Sequence, residues 1–303
     1  MMGPTPFRDI WVMAELELRE MLRTRRILLV LVLYLFGALV ASLFFVEFVS
    51  QLETAAASAL GTTAAGRPGA LTQQLLKEPS YRNIFAGLFK GSGDVEQLIQ
   101  IPAISLFFGW SSINFVPLLI MLTTTDTVVQ ELQSRGMRFL IFRTGRLEIV
   151  AGKALGQALL LTLVTFLTGL VYAAVAWYQL YGFELLPTLS GMLFFWPRIL
   201  TYGLTYLSLG VAISCVTSSV NTARGIAVLS LLFVGILNRL IVFRQALSPS
   251  IFLDFLQFLL PPSHKDMLWH TDWTLVSGTL LTLLALAGLY LAAGIWYFAR
   301  RDI

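Results

Sequence analysis

Long apolar stretches recur along the chain, and they predict its main elements. A helix that crosses the apolar core of a bilayer, roughly 30 Å thick, needs about 20 apolar residues, because only a helix satisfies its own backbone hydrogen bonds there. Six stretches of this kind are free, or nearly free, of charged residues. They predict membrane-spanning helices at 27–46, 103–125, 154–178, 199–217, 226–243 and 273–298.

Two of these stretches have charged residues at sensitive positions. Arg239 interrupts the fifth stretch, and Arg198 follows Trp196 and Pro197 just before the fourth. With a rise of about 1.5 Å per residue, Arg239 lies roughly 20 Å from an inner edge at Gly225, and its long side chain can reach the far headgroups from that depth. We therefore keep the fifth span and place Arg198 at the outer edge of the fourth.

A different pattern precedes the first span. Over residues 7–25, apolar side chains recur at steps of three and four residues, while charged side chains fill the other face of the predicted helix. An amphipathic helix of this kind lies in the membrane interface, where it either anchors the first span or holds a partner. Its apolar face consists of Phe7, Ile10, Trp11, Ala14, Leu18, Met21 and Leu22.

The segments at the outer ends of the spans differ in length. Residues 47–102 are far longer than a usual connection of under a dozen residues, and short helical patterns within them predict a small helical extracytoplasmic cap. An extracytoplasmic partner is one use for such a cap. Residues 244–272 contain both histidines, at a spacing that fits no tight metal site, and are predicted to form a solvated loop.

The composition narrows the class of protein. Apolar residues make up 57% of the chain and charged residues 13%, about half of the charged fraction of a soluble domain. This excludes a soluble enzyme, a disordered chain and a secreted disulfide framework, and it makes membrane lipid the main contact. Cys215 is the only cysteine, so one copy forms neither a disulfide nor a cysteine-ligated metal site. A net charge of +4 is modest, and we expect no nucleic-acid partner.

The distribution of basic residues predicts the orientation. If the N-terminus is inside, the inner segments hold 13 of the 21 Lys and Arg residues, against 8 Asp and Glu. The positive-inside rule favours this orientation, with both termini in the cytoplasm.

Motifs for catalysis are missing from the sequence. No Gly-x-x-x-x-Gly-Lys-Ser/Thr pattern is present, so we expect no phosphate-binding loop, no catalytic residue and no metal or cofactor bound by this chain. The predicted spans contain no Asp or Glu, which disfavours an ion-coupled carrier. Their uncharged polar residues either join helices or line a pathway. The candidates for lining a pathway are Ser111, Ser112, Asn114, Tyr202, Tyr206 and Asn238.

The predicted inner loop at 126–153 is the most informative segment. It holds five basic and three acidic residues, and also the apolar run Phe139 to Phe142. Water does not cover such a run, so either the inner ends of the spans or another protein must do so. The other inner loop, 217–225, is short and polar and is predicted to be a plain turn.

Three features resemble the type-2 (ABC-2) permeases of ABC transporters. The first is the pattern from Asp126 to Gly152-Lys153, which resembles the loop after the second span in that family. The second is the ending Phe298-Ala299-Arg300-Arg301-Asp302-Ile303, which resembles the family's aromatic-x-Arg-Arg-Asp-aliphatic terminus. The third is the order of one amphipathic helix and six spans. The loop pattern runs through Asp126, Glu131, Arg135, Gly136, Arg146, Glu148, Gly152 and Lys153.

The resemblance implies an all-α polytopic permease subunit that is not itself an enzyme. It implies a multi-pass protein of a prokaryotic plasma (inner) membrane that works as an exporter, pairs with a second permease copy as a homodimer, and is driven by two cytoplasmic ABC ATPase subunits. ATP and Mg²⁺ would bind to those ATPases. By position in the motif, the resemblance assigns ATPase coupling to Glu131, Arg135, Arg138, Phe139, Phe142, Arg143 and Arg146.

Two other functional classes stay open at this point. A self-contained channel or secondary carrier would need no ATPase. An intramembrane enzyme would need a nucleophile, for which Ser111 is the candidate. The sequence does not identify the substrate.

Overall fold

The computed structural model describes residues 6–59, 68–69, 95–134, 136–141, 144–248 and 250–301. These residues form helices and connections, with no strand among them. Two short 3-10 helices are formed by Pro261–His264 and Asp266–Trp269. The α-helices are α1 (Pro6–Arg23), α2 (Arg26–Ala59), α3 (Val95–Leu98), α4 (Ala103–Thr124), α5 (Val129–Gln133), α6 (Met137–Ile141), α7 (Arg146–Gln179), α8 (Leu185–Val216), α9 (Val220–Leu247), α10 (Ile251–Phe258) and α11 (Trp273–Arg300).

Six of the described helices, α2, α4, α7, α8, α9 and α11, are long and apolar enough to cross a membrane. The N-terminal helix α1 precedes them. This confirms the predicted fold class, an all-α multi-pass membrane protein. The predicted cap falls mostly outside the described residues. Within it, α2 continues to Ala59 and α3 forms a single turn.

The fourth and fifth membrane helices are longer than the apolar stretches that predict them. α8 begins at Leu185 and continues through Pro197, so Arg198 lies inside this helix and not before its start, and its place at the outer edge of the membrane stays a prediction. The hydroxyl of Thr201 donates to the Pro197 carbonyl at 2.8 Å. α9 runs without a break past Arg239. A helix keeps its backbone bonds beyond the apolar core, whereas a hydropathy pattern marks only the part inside it.

α8 is the central helix of the bundle. It packs against α4, α7 and α11, and its side chains Phe195, Val211 and Cys215 are fully buried. The hydroxyl of Thr205 donates to the Leu283 carbonyl of α11 at 3.1 Å. Small residues allow the close contacts, since a Cβ at Gly109 of α4 would lie 2.8 Å from the Phe195 ring.

The chain alternates between two ends of this bundle. One end, which we call the charged end, consists of α1, α5, α6 and the adjoining termini of the membrane helices. The opposite end carries the connection between α7 and α8 and the α10 segment, by which we mean residues 250–272. The predicted orientation places the charged end in the cytoplasm.

Three predicted loops are helical instead. Residues 126–153 form α5, α6 and the first turns of α7, and 217–225 contain the start of α9, capped by the hydroxyl of Ser219, which accepts from the Thr222 backbone N–H at 3.2 Å. The α10 segment is not a solvated loop, because Leu268 and Trp269 are buried in it, with the Trp269 ring 5.1 Å from that of Phe195.

Candidate functional site

The site at the charged end begins with a close contact between α1 and α7. Gly152 and Gly156 lie one helical turn apart on α7, and the α1 backbone crosses them. A Cβ at Gly152 would clash with Met13 and lie 2.7 Å from the Ile10 carbonyl oxygen, and one at Gly156 would lie 3.2 Å from the side chain of Glu17. Small residues at this spacing let helix backbones approach in membrane proteins. The contact brings Glu17 next to the α7 side chains that follow the glycines.

Lys153 is the centre of the site. Its buried ammonium group lies 2.5 Å from Oε2 of Glu17 in α1 and 2.6 Å from Oε1 of Glu131 in α5. Gln157, one turn further along α7, donates to Oε1 of Glu17 at 3.1 Å. Lys153 therefore joins α1, α5 and α7 through charged contacts. Removing either the lysine or its carboxylate partners would leave an uncompensated buried charge, which is costly.

The site carries more negative than positive charge. The carboxylates of Glu17, Glu20 and Glu131 each have an oxygen within 4.8 Å of the others, a spacing that also suits a metal ion. The Lys153 ammonium group already contacts two of them and serves as their counter-cation. The second oxygen of Glu131, Oε2, is buried without a hydrogen-bond partner among the described residues.

α5 is also fixed by two contacts that do not involve Lys153. The Ser214 hydroxyl of α8 accepts from the backbone N–H groups of Val128 and Val129, each at 3.0 Å. Arg224 of α9 binds Asp126 with two hydrogen bonds, from Nε to Oδ1 at 3.1 Å and from Nη2 to Oδ2 at 2.5 Å. The short helix after the second span is thus held by α7, α8 and α9 together.

Two further arginines at the charged end bind backbone carbonyls at the ends of membrane helices. Nη1 of Arg146, the first residue of α7, donates to the carbonyls of Phe298, Ala299 and Arg301 at 3.1, 2.8 and 2.8 Å. Arg301 donates to the carbonyls of Cys215 and Thr217 at 3.1 and 2.8 Å. These carbonyls lie at the C-terminal ends of α11 and α8, where a cation compensates both the unpaired oxygens and the helix dipole.

Only part of the predicted coupling set lies in the described residues. Glu131 and Arg146 face the bundle, in the contacts given above, rather than solvent. α6 places Met137 fully inside and packs Leu140 and Ile141 against the core, so the bundle itself covers part of the apolar run. Residues outside the description are Arg135, Phe142 and Arg143, together with the side chains of Arg138 and Phe139.

The predicted pathway residues are mostly engaged inside the bundle. Ser111 and Tyr172 share a hydrogen bond of 2.7 Å between α4 and α7, and the hydroxyls of Tyr202 and Tyr206 lie 3.2 Å apart. Asn114 accepts from Lys265 of the α10 segment at 2.5 Å. Ser112 is buried, and Oδ1 of Asn238 is buried without a partner among the described residues. The first of these contacts joins two membrane helices, the second lies within α8, and the third joins α4 to the α10 segment, so lining a pathway stays a prediction.

Sequence reasoning missed several of the residues that build the site, among them Glu17, Ser214 and Arg224. A signal for Glu17 was present, since it lies three residues after Ala14 and four before Met21, on the apolar stripe of α1. A charged residue on such a stripe needs a buried partner. Ser214 and Arg224 gave no such signal, because their partners are distant in sequence.

Comparison with known proteins supports the resemblance seen in the sequence. The family model described as ABC-2 family transporter protein matches residues 11–303, which is almost the whole chain. No curated protein matches the chain.

Proposed function

The chain belongs to the ABC-2 transporter family, and from that membership we propose that it is the permease subunit of an ATP-driven exporter whose separate ATPase docks at the charged end. The family implies a membrane permease that associates with an ATPase subunit. The docking surface that we propose is the segment 126–153. Export is the direction that the resemblance to type-2 exporters favours.

The observation that carries this proposal is the way in which α5 is held. Three contacts connect it to the bundle: Ser214 at its N-terminus, Arg224 through Asp126, and Lys153 through Glu131. A force applied to the segment 126–153 therefore reaches α7, α8 and α9 directly, and reaches α1 through Lys153 and Glu17. A solvated loop would absorb the same displacement.

The work would come from differential binding. A partner shifts a conformational equilibrium only by the difference between its affinities for the two states, so the ATPases must bind the segment 126–153 differently before and after hydrolysis. ATP and Mg²⁺ would bind the ATPases, since the sequence of this chain contains no Gly-x-x-x-x-Gly-Lys-Ser/Thr pattern. The buried ion pairs of Lys153 resist separation, which favours movement of α1, α5 and α7 as one unit.

Charge reversal in the segment tests the docking. We expect Arg138→Glu combined with Arg143→Glu to reduce co-purification with the ABC ATPase subunit and to abolish its stimulation by the permease in proteoliposomes. The matched control is Arg82→Glu with Lys90→Glu, an equal charge change in the predicted outer segment. Unchanged association and ATPase activity in the first variant, or equal losses in both, would contradict the docking assignment.

We also propose that a second copy of the chain packs on α9, giving a homodimer with two ATPases. Only Ala223, Ala227 and Ile241 of α9 are buried, so nearly the whole helix is left for lipid or another protein to cover. In a Cys215→Ala background, Phe233→Cys should form a disulfide between copies in native membranes. Leu281→Cys on α11 is the control, since its side chain is equally exposed on another helix. Equal cross-linking at both positions would argue against α9.

The orientation belongs to the same proposal. The family resemblance favours a prokaryotic inner membrane, and the distribution of basic residues supports an orientation with both termini in the cytoplasm. Reporter fusions at the two termini test this, and an active periplasmic phosphatase at either terminus would contradict it. A partner for the segment 47–102 stays a prediction.

A further inference from the structure

Arg198 is the largest side chain that is fully buried in the described residues. It lies within α8, far from the charged end, and the α10 segment covers it. Buried arginines are rare unless they are paired, because a desolvated charge is costly. The contacts of Arg198 therefore indicate what compensates its charge.

The protein compensates this guanidinium only in part. Nη1 donates to the Leu268 carbonyl at 2.9 Å, and the guanidinium carbon lies 3.6 Å from the centre of the Phe194 ring and 5.3 Å from that of Trp273. The rings attract the cation through their faces. Nε and Nη2 have no hydrogen-bond partner, and no carboxylate lies within ion-pair distance among the described residues.

The two unpartnered nitrogens lie on the same edge of the guanidinium group. Arg224 shows what this edge does elsewhere in the protein, where its Nε and Nη2 hold the two carboxylate oxygens of Asp126. Parallel N–H groups of this kind match the oxygens of carboxylates and phosphates. Arg198 presents this recognition edge in a setting of low polarity, where an anion binds more strongly than in water.

The surroundings of Arg198 indicate where the anion comes from. Trp273 begins α11, and tryptophans are enriched at the depth of lipid headgroups. The α10 segment above it supplies the Leu268 carbonyl and the buried Trp269 ring, which lies against Phe195. An anion bound at Arg198 would therefore lie among aromatic rings at headgroup depth.

We propose that Arg198 binds the anionic headgroup of an amphiphile, a phosphate or a carboxylate, between α8, α11 and the 3-10 turn that ends at Trp269. The apolar tail would extend along the exposed faces of the membrane helices. The headgroup would enter beside Leu268, whose carbonyl holds the opposite side of the guanidinium group. This inference does not depend on the docking of an ATPase.

Lipid binding to the purified full chain tests the proposal. By native mass spectrometry in nonionic detergent, we expect phosphatidylglycerol to bind about tenfold more tightly than phosphatidylcholine, because the choline cation next to the phosphate of the second lipid weakens its attraction to Arg198. Arg198→Met should remove this preference. Arg244→Gln, at an exposed arginine near the same end, should keep this preference. Equal binding of the two lipids, or an unchanged preference in Arg198→Met, would overturn the proposal.

Two further measurements identify the anion and test whether a variant loses binding only because it misfolds. Oleate and inorganic phosphate separate an amphiphile from a free anion: Arg198-dependent binding of oleate supports the amphiphile, and Arg198-dependent binding of inorganic phosphate alone overturns it in favour of a soluble anion. Arg198→Lys keeps the charge but loses the bidentate edge. It should fold and bind phosphatidylglycerol more weakly than the wild type, and wild-type binding by this variant would contradict the role of that edge.

Discussion

Lys153 and Arg198 are both buried cations of membrane helices, but within the described part of the chain Lys153 has acidic partners and Arg198 has none. Glu17 and Glu131 hold its ammonium group from two other helices. Arg198 has one carbonyl and a set of aromatic rings. The charge of Lys153 is therefore compensated within the chain, and its contacts hold the charged end as a unit, whereas Arg198 at the opposite end is compensated only in part among the described residues. A buried charge serves cohesion in the first region and recognition in the second.

The largest effect that separates the two regions should come from removing the Lys153 ammonium group. Lys153→Met leaves two buried carboxylates without a counter-cation, and we expect it to lower the free energy of unfolding by about 3–5 kcal/mol. Unfolding in mixed micelles followed by circular dichroism measures this. Adding Glu17→Gln and Glu131→Gln to the same variant should recover part of the loss. A loss below about 1 kcal/mol would contradict the central role of this ion pair.

The next effect concerns the contact that positions Glu17. Gly152→Leu should separate α1 from α7 and lower the free energy of unfolding by about 1–3 kcal/mol, as overpacking does. It should also weaken ATPase stimulation, since Lys153 then loses Glu17. Gly288→Leu on α11 is the matched control, because nothing lies within 4 Å of a Cβ at Gly288. Similar losses in both variants would point to helix propensity and not to the crossing of α1 and α7.

Arg198→Met should act in the opposite direction from Lys153→Met. Without anionic lipid, we expect it to raise the free energy of unfolding by about 1 kcal/mol, because unpaired buried N–H groups disappear while contact with the Phe194 ring is kept. The same micelle unfolding experiment measures the change. A loss as large as that of Lys153→Met would mean that Arg198 has a compensating partner within the chain.

The smallest effect should come from Arg224. Its side chain is 52% exposed, so Arg224→Gln should lower the free energy of unfolding by only about 1 kcal/mol or less. The same variant should reduce ATPase stimulation more clearly than it reduces stability, because Asp126, which Arg224 holds, lies just before α5. Arg19→Gln, which removes an exposed pair with Glu15 on α1, is the control and should change neither quantity measurably. If Arg224→Gln leaves stimulation unchanged, α5 does not transmit force to α9.

The sequence predicted the number of membrane helices because an apolar stretch needs no partner to be recognised. It failed where a tertiary contact decides the structure. The first turns of α8 pack on α4, where the Ser105 hydroxyl donates to the Thr188 carbonyl, and Arg224 finds its partner Asp126 in a segment 98 residues earlier. The partners of Lys153 are 136 and 22 residues away in the sequence. The family motif around Gly152-Lys153 therefore indicated where the site lies but not which residues Lys153 contacts.

The hydrogen bonds from Arg146 to the end of α11 can form only late in the synthesis of the chain. Arg146 and Phe298 are 152 residues apart in the chain, so α7 enters the membrane well before its carbonyl partners have been made. Because domains fold progressively during translation, the charged end stays open until α8, α9 and α11 are in place. Its closure therefore waits for late insertion steps, and an ATPase that recognises only the closed end would select chains that have completed them.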